Sequence, residues 1–77
     1  MTEKQLRDTL NYLNVIEKAY VKNGRANEVI KRYDAIYMVL IDMNIAGAIS
    51  NKKFTTLSTM LFDSSKLYWD YFLNKRK

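Results

Sequence analysis

Residues 52–74 have the sequence KKFTTLSTMLFDSSKLYWDYFLN, in which apolar side chains recur three or four residues apart, the period of an α-helix. On a helical wheel this segment has two apolar stripes and only a narrow charged sector. The broader stripe contains Phe54, Leu57, Leu61, Tyr68 and Phe72. The second stripe lies roughly 90° away on the wheel. We call it the aromatic strip; it comprises Phe62, Trp69 and Leu73.

Two glycines divide the rest of the chain, which contains no proline. Gly24 and Gly47 suit the left-handed conformation that often closes a helix, and the segments before and between them also have helical periodicity. The sequence therefore predicts an all-α fold. It is a three-helix bundle with helices at about residues 3–22, 25–45 and 52–74. We expect a single helical domain over residues 1–77.

The same periodicity predicts the helix ends and the core. Thr2 and Gln5 have the spacing of a capping box, in which a side chain from each residue binds a backbone N–H of the other. Residues at the centres of the apolar stripes are expected to be buried. They are Leu13, Tyr33, Ile36, Leu40, Leu57, Leu61 and Tyr68.

Glu17 lies on the apolar side of the first predicted helix although its carboxylate is charged. One interpretation is an interface or site carboxylate with a perturbed pKa. The other, which we prefer, is a residue at the edge of the stripe. Its aliphatic stem would pack against the core while its carboxylate meets a Lys, an Arg or a Tyr hydroxyl.

The aromatic strip is the candidate partner-binding site. Two helices cover about half of a third one, so the last predicted helix has more apolar surface than the bundle can bury. Tryptophan is also typical of the residues that dominate binding energy. We therefore expect Trp69 to be buried against a protein partner or a second copy, in which case a homodimer completes the bundle. The small residues Thr55, Ser58 and Ser65 beside the strip would let another helix approach closely. The alternative is that the strip packs under the loops of its own molecule.

The composition argues against an enzyme. The chain has no His and no Cys, which removes the commonest acid–base group, thiolate chemistry and the usual zinc ligands. Asp63 and Asp70 share a helix face, but on its polar side, where solvated charges are expected. No glycine-rich phosphate loop is present. We expect no catalytic residue, no metal, no cofactor and no small-molecule substrate.

A basic bias supports a second function class, nucleic-acid binding. The net charge is +5, and clustered cations are the footprint of a protein that binds phosphate backbones. The candidate residues are Lys52, Lys53, Lys66, Lys75, Arg76 and Lys77. The alternative, which we prefer, is that the terminal cations complement the dipole of the last helix and keep the protein in solution.

The sequence also bears on location. The longest apolar run, residues 35–41, is far shorter than the roughly 20 residues that a membrane span needs, and residues 2–8 do not begin a signal peptide. We expect a cytoplasmic protein with no membrane partner. The abundance of Lys, Asn, Ile and Tyr is typical of AT-rich coding sequences, such as those of some phages and other mobile elements. Taken together, the sequence predicts a small regulatory or inhibitory protein that acts by protein–protein binding.

Overall fold

A computed structural model describes residues 1–75 and contains four α-helices and no strand in that part of the chain. They are α1 (Glu3–Lys22), α2 (Ala26–Ile45), α3 (Asn51–Ser64) and α4 (Lys66–Lys75). The predicted all-α class is confirmed, and the first two helices lie within a residue of their predicted bounds. The predicted number of helices is wrong, because the segment expected to form one helix over residues 52–74 forms two.

The helix ends are set by local chemistry that the sequence revealed. The predicted capping box is present, with the Gln5 N–H donating to Thr2 Oγ1 (3.1 Å) and the Thr2 N–H donating to Gln5 Oε1 (2.9 Å). Gly24 and Gly47 have φ values of 73° and 78°, a left-handed conformation that costs a residue with a Cβ more than it costs glycine. Both glycines therefore turn the chain after a helix.

Ser65 interrupts the third predicted helix. Its backbone is extended, with φ −142° and ψ 112°, so the helical hydrogen-bond ladder stops and restarts around it. The Ser65 hydroxyl accepts the N–H of Tyr68 (3.2 Å), which is the hydrogen bond of a helix N-cap. The same hydroxyl donates to Glu17 Oε1 (2.7 Å). The single predicted helix fails because Ser65 is held in capping geometry by a residue of α1.

The interruption lets α4 lie back along the bundle. In one continuous helix, residues 62 and 72 would be about 15 Å apart along the axis. In the structure the rings of Phe62 and Phe72 have centroids 4.8 Å apart. Phe72 also meets Tyr37 of α2 at 5.5 Å. α4 therefore covers the groove between α2 and α3 instead of extending away from them.

The first three helices pack against one another in pairs, and α4 packs on α2 and α3. Two polar contacts show that α1 and α3 run parallel. Lys53 Nζ lies 3.2 Å from Glu3 Oε1 near their N-terminal ends, and Asn14 Nδ2 donates to Ser64 Oγ (2.8 Å) three turns further on. α2 packs against both of them and runs in the opposite direction, as short connections in a bundle require.

The core draws on every helix. The buried apolar side chains of residues 1–75 are Leu6, Leu10, Leu13, Val29, Ile30, Tyr33, Leu40, Leu57, Leu61 and Tyr68. All the residues predicted to be buried are among them except Ile36, which packs against the core from its edge and keeps part of its surface exposed. At the centre, Tyr33 and Tyr68 stack with ring centroids 5.8 Å apart.

Truncation of a central leucine tests this core. Leu40 is fully buried, so Leu40→Ala should lower the free energy of unfolding by roughly 2–5 kcal/mol through lost burial and a cavity. Val15→Ala removes apolar atoms from a residue that is 72% exposed and should change stability by less than about 0.5 kcal/mol. Urea unfolding followed by circular dichroism measures both. Equal effects of the two substitutions would contradict the assigned helix faces.

The role of Ser65 can be compared with that of an ordinary cap. Ser50 caps α3 by accepting the Lys53 N–H (3.1 Å) at an exposed position. Ser50→Ala should cost about 1 kcal/mol, the usual price of a lost cap. Ser65→Ala should cost more, about 2–3 kcal/mol, because it also removes a donor from the Glu17 carboxylate. Chemical unfolding of both variants gives the difference, and a larger effect at Ser50 would show that the α3–α4 break does not depend on Ser65.

Candidate functional site

The aromatic strip is assembled from two helices, which corrects its predicted placement along one. Phe62 lies in the last turn of α3, whereas Trp69 and Leu73 lie on α4. The rings of Phe62 and Trp69 meet edge to face with centroids 5.1 Å apart. Trp69 also stacks on Phe72, at 6.2 Å and 14° between ring planes. The strip residues are therefore neighbours, but through the fold of the chain at Ser65 and not through helical spacing.

The strip is only partly covered. Trp69 is 39% exposed and Leu73 is 42% exposed, while Phe62 is half-buried beneath them. A pocket of about 240 Å³ opens beside Trp69, lined by Thr59, Phe62, Asp63 and Trp69. An apolar side chain of another molecule can fill this pocket, with half-buried Phe62 as its floor and the edge of Trp69 beside it.

Threonines of α3 continue this surface without unsatisfied hydroxyls. Thr55 and Thr59 precede Phe62 by seven and three residues, so all three lie on one side of the helix. Thr59 Oγ1 donates to the carbonyl of Thr55 (2.8 Å), and Thr55 Oγ1 donates to the carbonyl of Asn51 (3.0 Å). Because their hydroxyls already donate within the helix, covering these side chains costs less than covering polar groups that depend on water.

Two small residues expected beside the strip are elsewhere. Ser58 and Ser65 are buried, with 9% and 3% of their surface exposed, so neither is available to an approaching helix. Ser58 lies on the core side of α3, and its hydroxyl has no partner within the described chain. Ser65 is turned inward by its bond to Glu17. Of the three predicted flanking residues, Thr55 alone is exposed.

Glu17 is part of a polar network between α1, α2 and the α3–α4 junction. Its Oε1 atom accepts hydrogen bonds from the Tyr33 hydroxyl (2.9 Å) and the Ser65 hydroxyl (2.7 Å). Nearby, the Tyr68 hydroxyl donates to Asp34 Oδ1 (2.8 Å). A tyrosine hydroxyl was one of the predicted partners of Glu17, and this contact gives the carboxylate a structural role.

The two tyrosines of this network remain protonated far above neutral pH. Burial raises the pKa of Tyr33, and its hydrogen bond to the charged Glu17 raises it further. Burial likewise raises the pKa of Tyr68, with a smaller contribution from the hydrogen bond to Asp34. Both phenols therefore act as fixed donors that hold carboxylates in place, not as groups that exchange protons.

The cations predicted to bind nucleic acid are dispersed. Lys52 and Lys53 begin α3, and Lys53 pairs with Glu3. Lys66 begins α4 at the other end of α3, about 20 Å away along that helix. Lys75 lies over the Tyr71 ring, with its Nζ atom 5.9 Å from the centroid. Arg76 and Lys77 lie outside the described residues. Lys52 and Lys53 therefore form no common surface with Lys66.

Two features of the surface were not predicted from the sequence. The outer side of α2 exposes Met38, Val39 and Ile45, the last of which is 79% exposed. A second cavity of about 350 Å³ lies between α1 and α3, lined by Arg7, Leu10, Asn11, Asn14, Met60, Asp63 and Ser64. The apolar residues on the outer side of α2 are visible in the sequence, but the cavity depends on the contact of Asn14 with Ser64, 50 residues away.

Nothing in residues 1–75 assembles a metal site, since no three acidic side chains come together there and the chain has no His or Cys. Among the helices of the same residues, none combines the length and the apolar character of a bilayer-spanning segment. The chain matches no protein family, and no curated protein and no solved structure matches it either. Its function must therefore be argued from its own surface.

Alkaline unfolding tests the tyrosine network. The pKa values of Tyr33 and Tyr68 are raised above their ordinary value of 10.0 in the folded protein, so the folded state binds more protons than the unfolded state above about pH 10. This stabilisation is complete below pH 10 and is lost as the pH rises towards the folded pKa values. We expect Tm to fall steeply between about pH 10 and pH 12.

Single substitutions distinguish the loss of stability caused by ionisation of the buried tyrosines from general alkaline destabilisation. Tyr68→Phe should lower Tm at about pH 8, because Asp34 loses its donor, and should then show a smaller further fall up to about pH 12. Tyr12→Phe removes a phenol that is 61% exposed and should follow the wild-type curve. An equally steep fall in Tyr68→Phe would contradict the raised pKa of Tyr68.

Proposed function

We propose that the protein is a small, non-enzymatic regulatory or inhibitory protein that acts by binding another protein through the aromatic strip. One observation carries the proposal: Trp69 and Leu73 stay exposed on a helix that is otherwise held against the bundle, beside a pocket that Trp69 and Phe62 line. Single exposed apolar residues are common on monomers. A tryptophan with a pocket beside it is a more specific feature.

Ring contacts within the protein hold Trp69 in place before any partner binds. Trp69 is fixed from one side by Phe62 and from another by Phe72. A ring that is already held in place loses little conformational freedom when a partner covers it, so more of its burial contributes to affinity. Thr55 and Thr59 extend the surface with hydroxyls that are satisfied within α3.

Other exposed apolar groups support binding less well. Met38, Val39 and Ile45 on α2 lie outside both cavities described above and include no aromatic ring. Tyr12 and Val15 on α1 are more exposed than Trp69, but neither lines either of these two cavities. Tryptophan contributes more to binding than these residue types do in most interfaces, which favours the aromatic strip.

The partner is either a different protein or a second copy of the chain, and one pair of variants tests both. Trp69→Ala should weaken the contact by about 2 kcal/mol or more, roughly thirtyfold in affinity. Tyr12→Ala removes an exposed aromatic ring from α1 and should leave the contact unchanged. Sedimentation equilibrium measures self-association. Capture from the native host with nuclease treatment, followed by titration of the recovered protein, measures binding to a foreign partner.

Circular dichroism must show that both variants keep the helical content of the wild type. Loss of self-association or of partner binding in Trp69→Ala alone supports the proposal. A monomeric wild type whose captured partner binds Trp69→Ala and Tyr12→Ala equally well would refute it. The strip would then be an ordinary part of the packing of α4 on α3.

A further inference from the structure

The most basic stretch of the chain does not include the aromatic strip. Residues 18–32 contain five cationic residues and one carboxylate, a net charge of +4 against +5 for the whole chain. We call the five cations the basic end. They are Lys18, Lys22, Arg25, Lys31 and Arg32, and all of them are exposed.

The basic end occupies the turn between α1 and α2. Lys18 and Lys22 lie in the last two turns of α1, Arg25 lies in the connection, and Lys31 and Arg32 lie in the second turn of α2. The hydrogen bond from Arg32 Nη2 to the Tyr20 hydroxyl (3.1 Å) shows that the two helices lie side by side here. Five cations therefore share one end of the bundle.

Tyr20 orders both arginines of the basic end. The guanidinium carbon of Arg25 lies 5.3 Å from the centroid of the Tyr20 ring, and that of Arg32 lies 5.5 Å from it. Such cation–π contacts restrict the long arginine side chains. Arg25 also donates to Glu28, from Nη2 to Oε1 at 2.7 Å. The arginines are thus positioned before any ligand arrives.

Each of the nearby carboxylates has at least one oxygen engaged in a hydrogen bond within the protein. Glu17 and Asp34 flank residues 18–32 in the sequence, and they accept hydrogen bonds from Tyr33 and Tyr68 in the interior. Glu28 is bound to Arg25. None of these carboxylates forms a salt bridge of 4.0 Å or less with Lys18, Lys22, Lys31 or Arg32 within the described chain.

We propose that the basic end binds the phosphate backbone of a nucleic acid. Lysine is depleted in protein–protein interfaces, whereas Lys and Arg are the residues that neutralise the phosphates of a nucleic acid. Three of the five cations are lysines, which favours a phosphate polymer over an acidic protein. Lys66 follows Ser65, whose hydroxyl is bonded to Glu17, so Lys66 lies towards this end of the bundle as well. The proposal does not depend on the aromatic strip.

Salt-dependent binding of a labelled DNA duplex of about 16 base pairs tests the proposal by fluorescence anisotropy. Each phosphate contact contributes about −0.9 to the slope of log K against log salt concentration. With four cations free of salt bridges, we expect a wild-type slope of about −3 or steeper. Lys22→Ala/Lys31→Ala should make the slope shallower by about 2 and weaken binding about tenfold or more at roughly 0.1 M salt.

A charge-matched control separates the site from the net charge. Lys4 and Arg7 lie in the first two turns of α1, at the opposite end of the bundle. Lys4→Ala/Arg7→Ala removes the same charge and should keep the wild-type slope and most of the affinity. Circular dichroism of both double variants should match the wild type, since all four positions are exposed.

Three outcomes would overturn the proposal. One is an absence of duplex binding at about 50 mM salt, and another is an equal loss of affinity in the two double variants. The third uses polyglutamate of the same total charge as a second probe. If polyglutamate binds as tightly as the duplex and loses affinity in the same variant, the basic end recognises acidic chains in general and an acidic protein is the better ligand.

Discussion

The Glu17 carboxylate and the Ser65 hydroxyl form the contact on which the arrangement of the last two helices depends. Glu17 sits on the core-facing side of α1, where a charge without hydrogen-bond donors would be costly. Tyr33 supplies one donor from α2, and Ser65 supplies the other from the end of α3. Ser65 reaches Glu17 while its backbone is extended, and in that conformation its hydroxyl also caps α4. One side chain thus satisfies a carboxylate of α1 and starts a new helix.

The packing of the aromatic residues follows from this interruption. When α4 lies back on the bundle, Phe72 meets Phe62 and Tyr37, and Tyr68 stacks on Tyr33. An uninterrupted helix would place Phe72 about 15 Å along the axis from Phe62, too far for the two rings to meet. Because α4 lies back on α3, Trp69 is placed beside Phe62 and stays partly exposed to solvent. The candidate binding surface and the core are therefore consequences of the same polar contact.

The local features of the fold could be predicted from the sequence, whereas the long-range contact between Glu17 and Ser65 could not. The Thr2–Gln5 capping box, the turn glycines and the apolar stripes act over a few residues, so spacing alone predicted them. The break at Ser65 depends on Glu17, 48 residues away. A serine pair at residues 64 and 65 before an apolar run is a weak capping signal, but helical periodicity continues across it. For the same reason the members of the aromatic strip could be named in advance, while their distribution over two helices and the burial of Ser58 could not.

The short helix α4 carries Trp69 and Leu73, two of the three residues of the aromatic strip. Helices shorter than about 12 residues are marginal in water when isolated, and α4 has 10 residues, of which Tyr68 alone is buried. Its position depends on the Ser65 cap, the Tyr68–Asp34 hydrogen bond and the aromatic contacts of Phe72. A ligand that binds only the docked helix adds a free energy that grows with its concentration over Kd. A partner that covers Trp69 and Leu73 must therefore stabilise α4 in place, and any loosening of the Ser65 contact must weaken that partner's affinity by the same linkage.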